Sequence, residues 1–266
     1  MMSPMDGTLP VPVRRHIETY LDAVDSALPG FIEGLYVIGS IPLGDYQPAV
    51  SDVDLVAVCA RTPTKPQLDA LATIHRPSHP SIDVLYVTGN ELGSDPRQLS
   101  PAYSLEGTFM PDGGFMANPV TWRQLQSAAI PVRGPSLAEH DVWYDADTLR
   151  RWNVANLDDY WARWLQGWRN VEPAEQAVRH KSGLQWLVLG VPRLHYTIAT
   201  LGVTSKTGAG RYAIGVVDKR WHSVVEVALA LRADQQSPLP RSVAALHADA
   251  AEVAAWLIED AHRPMI

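Results

Sequence analysis

Two aspartates, Asp52 and Asp54, alternate with apolar residues in the run Asp52-Val-Asp54-Leu-Val-Ala-Val58. On a strand that alternation sends both carboxylates to one face and Val53 and Leu55 to the other. Paired carboxylates on a strand suit a hard cation: magnesium takes oxygen ligands, keeps several waters and is commonly completed by substrate phosphates. Eleven residues upstream, Leu35-Tyr-Val-Ile-Gly39-Ser40 ends a β-type run on a small, polar turn. Such a turn offers backbone N–H groups and a hydroxyl to phosphate oxygens without side-chain crowding. Alone, Asp-x-Asp is more often a solvated strand end, and Gly-Ser more often a plain turn. Their order here, strand, Gly-Ser, spacer and Asp-x-Asp strand, favours a phosphate and metal site. A third acid, Asp83, stands in the otherwise apolar run Ser81-Ile-Asp83-Val-Leu-Tyr-Val87. An unpaired charge inside such a strand is costly, so Asp83 is either functional or on a water-facing edge.

Elements that would position these acids can be read from periodicity. A helix is predicted over 11–28 from Val13, Ile17, Leu21, Val24 and Leu28, stopped by Pro29-Gly30. Strands are predicted at Leu35–Ile38, Val53–Val58 and Ile82–Val87, with a helix at Gln67–His75. The Gly/Pro/Ser-rich stretch between Val87 and Asn118 is too long for a plain connector and reads as a lid or substrate loop. From about Asp145 onward the pattern is helical, over 146–169, 174–200, 209–232 and 241–262. Tryptophan separates the halves: none of the nine precedes Trp122, and six lie from Trp143 to Trp186. The expectation is an α+β protein: an α/β domain with a small mixed sheet over 1–143, then an α-helical bundle over 144–266, joined through the Pro- and Gly-rich 130–136. Trp152, Trp161, Trp164 and Trp168 fall on one helix face and read as core.

Composition narrows the function. With 46% hydrophobic and 19% charged residues the 266-residue chain is globular, and its net charge of −7 argues against general electrostatic binding of nucleic acid. The lone cysteine, Cys59, lies in an apolar run and reads as buried. No secretory leader is recognisable at Met1–Asp6 and no apolar run approaches a membrane span, so a cytoplasmic protein, in monomeric form, is expected.

With Gly39-Ser40, Asp52-Val-Asp54 and Asp83 in place, the sequence resembles the nucleotidyltransferase superfamily that includes polymerase beta. More narrowly it is similar to the streptomycin/spectinomycin adenylyltransferases, through the catalytic half, Asn118–Pro135 ending Val-Arg-Gly-Pro, Leu187–Tyr196 with Pro-Arg193-Leu-His-Tyr, and Ser205-Lys206. The resemblance implies two magnesium ions on Asp52, Asp54 and Asp83, and ATP as co-substrate with phosphates at Gly39, Ser40 and nearby Ser51. It further implies that Arg193 and Lys206 reach the triphosphate from the helical domain, and that Trp221 lines the nucleotide site. The product chemistry would be transfer of AMP to a hydroxyl of a small acceptor, first an aminoglycoside. Asp83 stands where the family usually has the longer Glu. Where streptomycin-modifying members carry acids, this chain has Arg179, Lys181 and Gly183. Acids available to an aminoglycoside are instead Glu106 and Asp112, with Asp158, Asp159, Glu172 and Glu175 further on. Alternatives are another hydroxylated acceptor, a non-catalytic nucleotide-binding regulator, and a toxin-type enzyme modifying protein or tRNA.

Overall fold

The computed structural model describes residues 9–234 and 242–263. The chain divides into two compact units, Met1–Tyr144 and Asp145–Ile266.

In the first unit, α1 (Val11–Ala27) precedes β1 (Ile32–Val37), β2 (Val53–Cys59), α2 (Lys65–Ile74) and β3 (Ile82–Thr88). Then come the short α3 (Gly89–Leu92), β4 (Tyr103–Leu105), β5 (Thr108–Met110), α4 (Pro119–Ala128) and β6 (Ile130–Arg133). The six strands form one sheet in the order β5-β4-β3-β2-β1-β6. Only β2 and β3 run parallel, as their crossover through α2 requires. Both sheet faces are covered, which is why the central strands read as continuous apolar runs. Leu35, Val37, Val53, Leu55, Ala57, Val84 and Tyr86 face Val13, Ile17 and Val24 of α1. Tyr36, Ile38, Val56, Val58, Leu85 and Val87 face Trp122 and Leu125 of α4, with Leu92.

The three predicted strands and both predicted helices of this unit are present within a few residues of their expected ends. Three further strands were not legible. β4 and β5 have three residues each, too short to show a period, and they flank the turn Glu106-Gly107. They turn the middle of the segment expected to be a lid into a sheet edge, so β3 is an interior strand and Asp83 does not sit on an edge. The stretch 130–136, expected as a connector, supplies β6, which pairs with β1 despite Pro131 because it is the edge strand. A bidentate ion pair from Arg133 to Asp25 of α1, at 2.8 and 2.6 Å, ties that edge down.

The second unit is helical among its described residues: α5 (Ala146–Asn156), a π-helical turn Leu157–Trp161, α6 (Ala162–Arg169), α7 (Pro173–Thr200), α8 (Lys206–Val216), α9 (His222–Arg232) and α10 (Val243–Asp260). The span 209–232, predicted as one helix, breaks at Val217-Asp218, where the Asp218 carboxylate accepts the Arg220 N–H and starts a new turn. Trp161 and Trp168 are in this unit's core as expected, with Trp164 packed against it. A Cβ at Gly190 would collide with the Trp161 ring, and one at Gly183 with Trp168, so both glycines of α7 make room for indoles. Cys59 is buried in the first unit, and burial pushes its thiol up to about 12. Among the described residues no helix is long and apolar enough to cross a membrane.

Candidate active site

Because β1 and β2 are antiparallel, the end of β1 lies beside the start of β2: the Ile38 N–H donates to the Asp54 carbonyl at 2.9 Å. That pairing delivers Gly39-Ser40 to the Asp52-Val53-Asp54 segment although eleven residues separate them in sequence. Gly39 has φ +73° and lies so close to the Asp54 carboxylate that any Cβ would collide with it. Only glycine meets both demands. Its N–H donates to the Gln124 side chain at 2.9 Å, so the residue makes room for the Asp54 carboxylate while Gln124 holds its amide. Ser40 is half-buried, and its hydroxyl makes no hydrogen bond among the described residues. Ser51 is buried; its hydroxyl accepts the Gln47 N–H at 3.0 Å and so holds the intervening loop.

Parallel register sets Asp54 directly opposite Asp83. Asp52, Asp54 and Asp83 therefore share the face that carries Val56, Val58, Leu85 and Val87. Asp83 is 3% exposed. Its Oδ1 accepts the Ser81 hydroxyl at 2.6 Å and the Glu106 N–H at 2.8 Å. Burial lifts its carboxyl above the usual carboxylate range, those two hydrogen bonds pull it down, and the nearby Asp52 and Glu106 charges push it up again. Asp52 accepts the Ser81 N–H at 3.3 Å, so Ser81 bridges two of the acids. Tyr46 is also near, since the Asp52 charge, after burial, raises its hydroxyl.

Ser81 and Gln124 were missed from sequence as site residues. Ser81 was readable, being two residues before Asp83 and so on the same strand face. Gln124 gave no signal: it is one polar residue on an amphipathic helix. Glu106 contributes its backbone N–H from a strained turn with φ 51°, while its own side chain is exposed. Asp112 is exposed in the loop after β5.

In the helical unit, Arg193 is half-buried on α7. Lys206 opens α8 beyond the N-cap Ser205, its Nζ 5.2 Å from the centre of the Trp186 ring. Trp221 is 3% exposed and belongs to this unit's core, its Nε1 3.3 Å from Glu252. Its ring packs inside that core, with the Arg220 guanidinium 4.2 Å from its centre. Asp158 bonds His262 at 2.8 Å, Asp159 pairs with Arg163, and Glu172, Glu175 and Lys181 are exposed. The side chain of Arg179 lies outside the described residues.

Among the described residues no three His, Cys, Asp or Glu side chains form a ready-made ion cage. The donor chemistry nonetheless fits magnesium: the acids are all-oxygen ligands on one face, and a cation there would favour the charged Asp83 that burial, and then the Asp52 and Glu106 charges, disfavour.

No family model matches the sequence, and no curated protein matches it. The crystal structure of spectinomycin adenyltransferase AAD(9) from Enterococcus faecialis, with ATP and spectinomycin, is similar to this structure with a TM-score of 0.62. The match covers 90% of this chain and 99% of that one at 14% sequence identity. This chain has the fold of that protein.

Proposed function

We propose that the protein is a magnesium-dependent nucleotidyltransferase that moves AMP from ATP to a hydroxyl of a small molecule and releases pyrophosphate. The observation that carries this reading is the set Asp52, Asp54 and Asp83 on one sheet face beside the Gly39-Ser40 turn. Asp52 and Asp54 would hold the metal, with Asp83 alongside. Two magnesium ions, when bound, would neutralise phosphate charge and acidify the acceptor hydroxyl. Asp83 is suited to take that proton. Its raised carboxyl is a better base than an ordinary aspartate, and both of its hydrogen bonds fall on Oδ1. Ser40 would hold phosphate oxygens beside the Asp54 carboxylate that Gly39 makes room for, and Ser51 would shape the loop around them. Arg193 and Lys206 are assigned to the triphosphate on the sequence resemblance. The metals, not the protein surface, supply the local positive charge, which reconciles the reaction with a net charge of −7.

An aminoglycoside is the preferred acceptor. The structural neighbour was crystallised with spectinomycin and ATP, and an acidic surface attracts a polycation. Exposed Lys181 favours a second reading, a neutral or anionic hydroxylated acceptor, because a cationic drug docking there would meet a like charge. The test is pyrophosphate release with ATP and magnesium across spectinomycin, streptomycin, lincosamides and uncharged or anionic hydroxylated metabolites. Spectinomycin turnover above streptomycin turnover is expected, and Asp52→Asn or Asp54→Asn should cost at least about a hundredfold in kcat/KM with the fold intact. Either variant within about tenfold of wild type sinks the assignment.

A further inference from the structure

The helical unit contains a second chemical feature, which shares only Asp158 with the residues considered above. A cavity of about 490 Å³ opens between α5, α7 and the end of α10, and Arg150, Arg151 and Arg263 line it. Its one acid, Asp158, is already engaged by His262 at 2.8 Å. Arg263 holds Asp260 at 3.0 Å, and Arg151 reaches Thr148 at 3.2 Å and Asp145 only at 3.9 Å. Arg150 is the telling residue. It is half-buried, it uses Nε alone, on the Ile198 carbonyl at 3.3 Å, and its two terminal nitrogens have no partner among the described residues. A partly desolvated guanidinium fork without a carboxylate matches a planar or tetrahedral oxyanion, which accepts two parallel N–H bonds. The rest of the lining, Val154, Ala155, Ile198 and Ala261, is apolar and asks for a hydrocarbon body on the same ligand.

A second observation falls at the same place. The helix that carries Arg150 and Val154 passes into the π-helical turn Leu157–Trp161, which presents Asp158 to the cavity. π-turns inside α-helices cost regular hydrogen bonding and recur at functional sites. Here the turn lies in the cavity wall.

We propose that this cavity is an oxyanion-binding pocket for a small organic anion with an apolar body, a phosphate ester or a carboxylate, anchored on Arg150 with Arg151 and Arg263 at the rim. Calorimetric titration of the full chain with phenyl phosphate, benzoate, inorganic phosphate and uncharged benzyl alcohol tests it. Saturable 1:1 binding is expected for phenyl phosphate or benzoate, the tighter of the two naming the anion class. Inorganic phosphate and benzyl alcohol should each bind about tenfold more weakly or worse, lacking one half of the match. Arg150→Gln should weaken the tighter anion about tenfold or more. Because that variant also loses the Ile198 bond, Ala155→Trp fills the cavity from an exposed position with every charge retained, and it too should abolish binding. No saturable binding of either aromatic anion overturns the proposal. So does equal affinity for inorganic phosphate, or affinity unchanged in both variants, which would place the anion elsewhere on the chain.

Discussion

Asp83 is buried, and its carboxyl is raised by desolvation first, with Asp52 and Glu106 adding to it. The native state therefore holds that proton more tightly than the unfolded chain does. Stability contributed at this position is present at low pH and falls as pH rises through the window above the ordinary carboxylate value. Asp83→Asn keeps an oxygen for the Ser81 hydroxyl and the Glu106 N–H but removes the charge. It should raise the melting temperature at pH 7 by about 2–4 °C, and the gain should shrink as pH is lowered toward 4. On the proposed function, turnover should be lost in the same variant, an exchange of stability for activity. Scanning calorimetry over pH checks the first statement; a variant less stable than wild type at pH 7 would mean that the Asp83 charge is compensated.

At the scale of elements, the site depends on α4 holding the Gly39 turn. Trp122 and Leu125 bury one face of that helix against the sheet, and the Trp122 Nε1 donates to the Leu92 carbonyl at 2.9 Å. Asn118 caps its start by accepting the Val120 and Thr121 N–H groups. This fixed helix presents Gln124, buried at 8% exposure, to the Gly39 amide. Gln124→Leu leaves that N–H without a partner and should cost about 1–3 kcal/mol in urea unfolding, with a fall in turnover beyond what stability accounts for. Unchanged stability would show that water replaces Gln124 there, and unchanged turnover that the turn needs no such support.

For the whole molecule, each unit carries its own core. Trp161, Trp168, Leu187, Leu189, Val224 and Leu257 belong to one cluster confined to the helical unit, while the sheet has a cluster on each face. Asp145, the first residue of the second unit, caps α5 by accepting the Thr148 N–H at 2.6 Å. Residues 145–266 expressed alone should therefore fold, with a helical circular-dichroism spectrum and a cooperative melt. A non-cooperative melt would show that this core needs the first unit to form.

Sequence by itself determined the central strands, the flanking helices and the three acids, because burial on both faces and period-two alternation leave marks within single short segments. Asp-x-Asp fixes two carboxylates on one face wherever that strand lies in the sheet. Only the tertiary structure decided that Asp83 stands opposite Asp54, since parallel register comes from a crossover whose partners are nearly thirty residues apart. It also decided that Gly39 supplies space and Gln124 takes its N–H, that Trp221 packs in a core, and that β4, β5 and β6 complete the sheet. Those strands are three or four residues long and are held by neighbours already in place, so their own residues carry too little pattern to announce them.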